Sequence, residues 1–377
     1  MKMTNNPPQH LNLKICLTAF VAIGAFVACK PTDQTEKVPL AVQEKVRLGA
    51  VFPLTGDTAS YGQAAKKGID LAAGEINKQG GVEGKAVEVI YEDDNGKAST
   101  AVSAMEKLIS VNKVPLVMGS AGSSVTLAMC PIANRAKVVL ITPISSSKEL
   151  TEKGGQFFFR VCPSDVVQAA MMAEWLKEDG HKRAAVVFLT TSWGQGLKDE
   201  FVARFKALGG EIVAVEGCNE GDRDLRAQLT KVKAANPDAV YGITHGREGG
   251  ALLRQSKELG LDRQFYGADV WGSPELVETA QEAAKGVKII VPTKYEGAKY
   301  QQFSQRFKEQ YGVDPDTYAA LSYDMMRMVA SDFTQAEGGD SLQKAVRQTR
   351  FEGVTGLTTF DKHGDVVGKG FERKVLP

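Results

Sequence analysis

The sequence predicts an α/β protein built on two parallel sheets. Three observations carry this. From Val46 onward, short β-rich apolar runs alternate with segments whose apolar residues recur at helical spacing, the pattern of strand–helix–strand units. The strand candidates read as continuous apolar runs, as expected where helices cover both faces of a sheet. There are about ten of them, near the limit for one open twisted sheet, and 377 residues is long for a single core.

In chain order the strand candidates are "VRLGAVFP", "AVEVIYED", "VPLVMG", "KVVLIT", "QFFFRV", "RAAVVFLT", "EIVAVEG", "DAVYGIT", "RQFYGAD" and "VKIIVPT". After Tyr61, Ala65, Ile69, Ala72, Ala73 and Ile76 fall on one face of a helix. Leu225, Leu229 and Val232 do the same before Asn236. "RVCPSDVVQ" is a crossing between the two sheets: Pro163 interrupts a strand, and Ser164 or Asp165 can cap the next helix. "VPTKYEG" is a second crossing, and "TGLTTFDKHGD" a third, ending in a hairpin-like His363-Gly364-Asp365. This divides the chain into a first lobe at 46–163 and 292–355 and a second at 164–291 and 356–377.

Before Val46 the chain has another character. "ICLTAFVAIGAFVA" runs uncharged from Ile15 to Ala28, behind Lys2 and Lys14. That length suits a signal-peptide core and is short for a membrane span. Phe26-Val27-Ala28-Cys29 looks like a bacterial lipobox, with Phe26 where Leu is usual. The expectation is a leader at 1–28, a lipid on Cys29, and a polar tether over 29–45. Beyond Cys29, an exported chain carries Cys130, Cys162 and Cys218, which form at most one disulfide or remain buried thiols.

Charge and motifs exclude several functions. Net charge is +1, from 46 basic and 45 acidic residues, which gives no footprint for nucleic acid. Four histidines, none with a second nearby, argue against a zinc site. Gly194-Gln195-Gly196 stands where a dinucleotide loop would, but Asp199 occupies the third glycine position and would set a charge against a pyrophosphate. There is no phosphate loop, nucleophile elbow or His-Glu-x-x-His motif, so an enzyme is not expected, nor a cofactor or metal.

What lies past the strand ends is more informative, because ligands of open α/β sheets bind there. "GSAGSSVT" follows "VPLVM", and "PISSSKEL" follows "VVLIT". Both are hydroxyl-rich loops opening onto helix N-termini, whose free N–H groups attract a carboxylate as well as needing caps. In the second half, Trp193 follows "RAAVVFLT", His245 and Arg247 follow "DAVYGIT", and Asp269 follows "RQFYGA". Together these make an opposing jaw, with an acid able to neutralise an ammonium.

The order "GAVFPLTGDTASYGQAAKKGIDLAAGEIN", "VEVIYEDDNGKASTAV", "MGSAGSSVT", "LITPISSSKELT", "FFFRVCPSD", "WGQGL", "GALLRQSKELGL", "FYGAD" and "TGLTTFDKHGD" resembles the periplasmic leucine/isoleucine/valine-binding protein family, from about Val46 to the end. The resemblance implies a type I periplasmic-binding fold: two doubly wound α/β lobes joined by three hinge crossovers, closing on a ligand. It implies an extracytoplasmic monomer that delivers an amino acid to an ABC permease, an importer driven by ATP hydrolysis. A ligand-sensing module for a receptor or kinase is the alternative partnership. Position by position, it implies that Ser123 and Ser124 hold the ligand carboxylate, with Ile144 by its backbone and Ser146 by its hydroxyl. Tyr61 and Trp193 are the aromatic walls, and Asp269 meets the α-ammonium. His245 stands where the family often has tyrosine, and Asp269 is one methylene shorter than the family's glutamate. These departures, with Arg247, leave a polar or acidic amino acid, or another small carboxylate, open.

Overall fold

The computed structural model describes residues 44–336 and 338–377. The expected leader, Cys29 and all but the end of the tether lie outside these residues. The chain runs β1 (Val46–Phe52), α1 (Ala59–Lys78), β2 (Val87–Asp93), α2 (Ala98–Ser110), β3 (Leu116–Gly119), α3 (Ser123–Ala136), β4 (Val139–Thr142), α4 (Lys148–Lys153) and β5 (Phe158–Arg160). It continues through α5 (Asp165–Glu178), β6 (Arg183–Leu189), α6 (Ser192–Ala207), β7 (Glu211–Cys218), α7 (Arg226–Ala234), β8 (Ala239–Ile243), α8 (Gly246–Glu258), β9 (Gln264–Gly267), α9 (Pro274–Ala280) and β10 (Lys288–Pro292). It ends with α10 (Ala298–Tyr311), α11 (Thr317–Phe333), α12 (Gly339–Gln348), β11 (Phe351–Gly353), β12 (Gly356–Thr358) and β13 (Phe371–Val375).

Two main sheets result, one per lobe. The first has the order β2-β1-β3-β4-β5 and is parallel throughout. The second has the order β13-β10-β9-β8-β6-β7 and is parallel except for β13. In each, the winding reverses beside the sheet's first strand in chain order, between β1 and β3 and between β6 and β8. Those switch points open a crevice at the carboxyl ends of the strands. The expected apolar face of α1 is buried at Ala65, Ile69, Ala72, Ala73 and Ile76. It packs in one core with Leu321, Met325 and Met328 of α11.

The chain passes between the sheets three times: from β5 to α5, from β10 to α10, and from β12 to β13. At the first crossing Ser164 caps α5, its Oγ accepting the Val166 N–H at 3.4 Å. At the third, Asp361 N donates to Asp365 O at 2.9 Å and Gly364 sits at φ +90°, a turn that suits glycine. The two crossings are tied together by Arg160, fully buried, whose Nε lies 2.7 Å from Asp365 Oδ1. Arg160 NH1 also donates to Ser147 O at 2.9 Å, so the same side chain steadies the serine loop after β4.

The sequence reading undercounts the strands. It omits β11 and β12, a separate antiparallel hairpin, and β13, the antiparallel edge of the second sheet. Edge strand β13 is mostly exposed beyond Phe371, so it lacks the apolar run that marks the buried strands. Cys130, Cys162 and Cys218 are free, buried thiols, and burial pushes each up to about 12. Among the described residues no helix is long and apolar enough to cross a membrane.

Candidate ligand-binding cleft

The two switch points face each other across a cavity of about 80 Å³. That is room for several waters, at roughly 10–15 Å³ each, or for part of one small solute. Tyr61, Ser123, Ser124, Ile144, Ser146, Trp193, His245 and Asp269 all lie on its wall. The first five come from the first lobe and the last three from the second. A larger and more open depression, about 880 Å³, lies on the outside of the first lobe. Its Glu75 is already paired with Arg306 at 2.7 Å and with Arg327 at 3.2 Å.

Hydroxyls hold the two serine loops in register. Ser145 Oγ donates to Ser120 O at 2.9 Å and lies 2.7 Å from Thr126 Oγ1. Ser120 Oγ donates to Asp94 at 2.6 Å. Ser147 Oγ caps α4, accepting the Glu149 N–H at 3.3 Å, and donates to Ser192 O at 3.2 Å. Ser120, Ser145 and Ser147 are therefore spent on structure. Ser123 Oγ accepts the Ser147 N–H at 3.3 Å, and Ser124 Oγ accepts the Ser192 N–H, from the other lobe, at 3.0 Å. Each keeps its own proton for a further acceptor. The first-turn N–H groups of α3 have no intrahelical acceptor and add a partial positive charge. The Ile144 N–H is engaged with Thr142 Oγ1 at 3.2 Å, so a ligand reaching that amide must share it.

The opposite wall is acidic. Asp269 leaves β9 in a short 3-10 turn, Asp269–Gly272. Its N–H donates to Gln168 Oε1 at 2.9 Å, and its Oδ1 accepts from Gln168 Nε2 at 3.1 Å. Asp269 is partly exposed, on the wall of the cavity. Burial pushes its pKa up. Asp165, at the start of α5, is completely buried, and neither carboxylate oxygen accepts a well-aligned hydrogen bond. Burial, and then the charge of Asp269, push it up to about 8, while Ser146, Arg160 and Trp193 nearby pull the other way. Among the described residues no lysine or arginine lines the cavity. The carboxylates on the cavity wall are Asp269 and Glu220; Asp165 is buried close enough to Asp269 to feel its charge, but is not on that wall.

Aromatic rings form the remaining wall. Trp193 and His245 stack at 5.5 Å and 9°. Tyr61 meets His245 at 5.7 Å and Tyr318 edge-on at 5.5 Å. The turn that carries Asp269 is pinned by Trp271, fully buried, whose Nε1 donates to Thr244 O at 2.9 Å. Its ring fits only because Gly242 and Gly267 lack side chains: a Cβ there would lie 2.2 and 2.1 Å from the indole.

Sequence reading alone misses Asp165, which lies off the cavity wall but feels the charge of Asp269, and, among the residues on the wall itself, Glu220 and Tyr318. From the sequence, Asp165 reads only as a possible cap. Two capping residues in succession were the available signal, since one cap leaves the other free. Glu220, in the acid-rich loop after β7, and Tyr318, on α11, line the cavity; nothing in the local sequence around Tyr318 marks it. No group of three or more potential metal-ligating residues exists among the described residues.

Two α/β lobes, three crossings and a polar cavity between opposed switch points define a two-lobed solute-binding protein. The chain belongs to the periplasmic binding protein family, whose model matches residues 45–371. It is 29% identical over 354 residues to the leucine-, isoleucine-, valine-, threonine- and alanine-binding protein of Pseudomonas aeruginosa, covering 93% of this chain and 92% of that one. It is similar to the branched-chain amino acid transporter substrate binding protein LivJ from Streptococcus pneumoniae in complex with isoleucine. That likeness has a TM-score of 0.79 and 29% identity, over 88% of this chain and 100% of the other. A solute binding protein of an ABC transporter from Rhodopseudomonas palustris, in complex with 3,4-dihydroxy benzoic acid, superposes with a TM-score of 0.79 and 26% identity, over 88% and 93%.

Proposed function

We propose that the protein captures a free amino acid between its lobes and delivers it to an ABC importer. One observation carries the reading: hydroxyls and a helix N-terminus face the Asp269 carboxylate across one cavity whose lining holds no lysine or arginine among the described residues. An α-amino acid is the small solute with a carboxylate for one side and an ammonium for the other. Ser123 and Ser124, with the α3 N-terminus, take the carboxylate; Ile144 and Ser146 flank it. Asp269, on the wall, takes the ammonium, whose charge also offsets the repulsion between Asp269 and the buried Asp165. Trp193, Tyr61, Tyr318 and His245 enclose the rest. Charge-assisted hydrogen bonds in a water-poor cleft supply the selectivity. The names of the relatives support an amino acid, and the chain binds its ligand without transforming it.

A second reading is an aromatic carboxylate, favoured by the ring-lined wall and by the dihydroxybenzoate-bound neighbour. It leaves the Asp269 carboxylate without a cation, and so ranks second. A thermal-shift screen of common amino acids and small aromatic carboxylates separates the two. Stabilisation by an amino acid is the expected result; stabilisation only by aromatic acids contradicts it.

The anchoring of the protein to a membrane through lipid on Cys29 belongs to the same reading, and rests on Phe26-Val27-Ala28-Cys29. A Cys29→Ser variant should appear in the soluble extract. Its persistence in washed membranes would contradict lipid attachment there.

A further inference from the structure

The ligand cavity does not end at His245. Thr58, Gly96, Glu220 and His245 line it and also line a second cavity of about 350 Å³. These shared residues mark a junction between the two spaces. Ser123, Ser146 and Asp269, the groups assigned to the α-carboxylate and α-ammonium, line only the inner one. An amino acid held by both α groups therefore turns its side chain toward the junction.

The chemistry of the junction is mainly that of hydrogen-bond acceptors, with the Tyr61 hydroxyl able to donate as well as accept. Glu220 Oε1 lies 3.1 Å from His245 Nε2. In the neutral ring that nitrogen carries the proton for Glu220, and Nδ1 keeps a lone pair. His245 Nδ1 and the neighbouring Tyr61 Oη are buried without a hydrogen-bond partner. Cations lie only in the outer cavity, at Lys97 and Arg247. Arg247 is already within 3.4 Å of Asp57 and 3.8 Å of Glu275. An aliphatic side chain would cover these polar groups and offer them nothing. An acidic one would meet the Glu220 carboxylate with no fixed cation between them. A side chain with N–H or O–H donors satisfies the acceptors present, and a site built for donors rejects analogues that lack them.

Resting on the amino-acid reading above, we infer that the Glu220–His245 pair selects the ligand side chain. The class it selects is amino acids with donor-bearing side chains (amide, hydroxyl or cationic nitrogen), over branched aliphatic and acidic ones. The open alternative of an acidic amino acid is thereby set aside.

The test is calorimetric titration of the protein, freed of ligand by unfolding and refolding. The probes are glutamine, threonine, lysine, leucine, isoleucine, glutamate and benzoate. At least one of glutamine, threonine and lysine should bind tenfold or more tighter than leucine, isoleucine and glutamate. His245→Phe, which keeps a ring beside Trp193, should erase that advantage, and Glu220→Gln should reduce it if the histidine variant fails to fold. Tightest binding of leucine, isoleucine or glutamate overturns the inference and leaves the amino-acid reading standing. Binding of benzoate alone overturns both. Unchanged selectivity in both variants overturns the assignment to this pair.

Discussion

Asp165 shows how a single side chain sets the pH behaviour of the cleft. Its carboxyl is pushed up to about 8, by burial first and the Asp269 charge second. A folded-state pKa above the unfolded one favours folding while the group is protonated. Stability of the ligand-free protein should therefore fall as pH rises from the ordinary carboxylate range, near 4, toward 8. Ligand affinity should move the other way. An ammonium needs ionised partners, so the dissociation constant should fall from pH 6 to pH 8 and level off above. Asp165→Asn should flatten both slopes, measured by thermal melts and by titration across pH; slopes that persist contradict the assignment. On the facing walls, Ser123→Ala and Asp269→Ala should each weaken binding by about 1–3 kcal/mol, the order expected for loss of a buried polar partner. At this scale the sequence was readable where chemistry follows a strand end. The eight residues named from the strand-end loops and the family resemblance line the cavity, whereas Arg247, also named at a strand end, lines only the outer one. Tyr318 was not readable, because it arrives from α11, far along the chain, through tertiary packing.

At the scale of elements, the 3-10 turn bearing Asp269 is placed by a packing fit between strands and an indole. Gly242 in β8 and Gly267 in β9 leave the space that Trp271 fills, and its Nε1–H reaches Thr244. Gly267→Ala should force the ring aside, destabilise the protein by about 1–3 kcal/mol as overpacking does, and weaken ligand binding through Asp269. Calorimetric melting and titration read the two effects; a variant with wild-type stability would contradict this packing. The alternation of apolar runs with helical faces made the parallel strands legible, since their burial on both faces leaves a local signature. The edge strand β13 left none. "FERKV" is held by pairing with β10, from Lys288↔Val375 to Pro292↔Phe371, a partner about eighty residues away that no local pattern announces.

For the whole molecule, the lobes meet through contacts around the cleft. Ser192 of the second lobe donates through its N–H to Ser124 and through its hydroxyl to Glu149 at 2.8 Å. Lys148 pairs with Glu200 at 2.7 Å. At another part of the rim Asp57 lies 3.4 Å from Arg247 and 3.7 Å from Arg223. These contacts belong to a closed arrangement, and ligand favours it only through contacts absent when the lobes part. The rim pairs are half-exposed, so each contributes little. Glu200→Gln should weaken binding by less than about 1 kcal/mol, with a smaller effect in high salt; a larger loss would assign that pair a role inside the cleft. Small-angle scattering should register a smaller radius of gyration on ligand addition. The central claim is that one small molecule is held by its α-carboxylate and its α-ammonium together. The most direct measurement is the affinity of the best-binding amino acid beside that of the same compound N-acetylated. Loss of a hundredfold or more on acetylation is the expected result. Equal affinity, or no amino acid that binds at all, would contradict it.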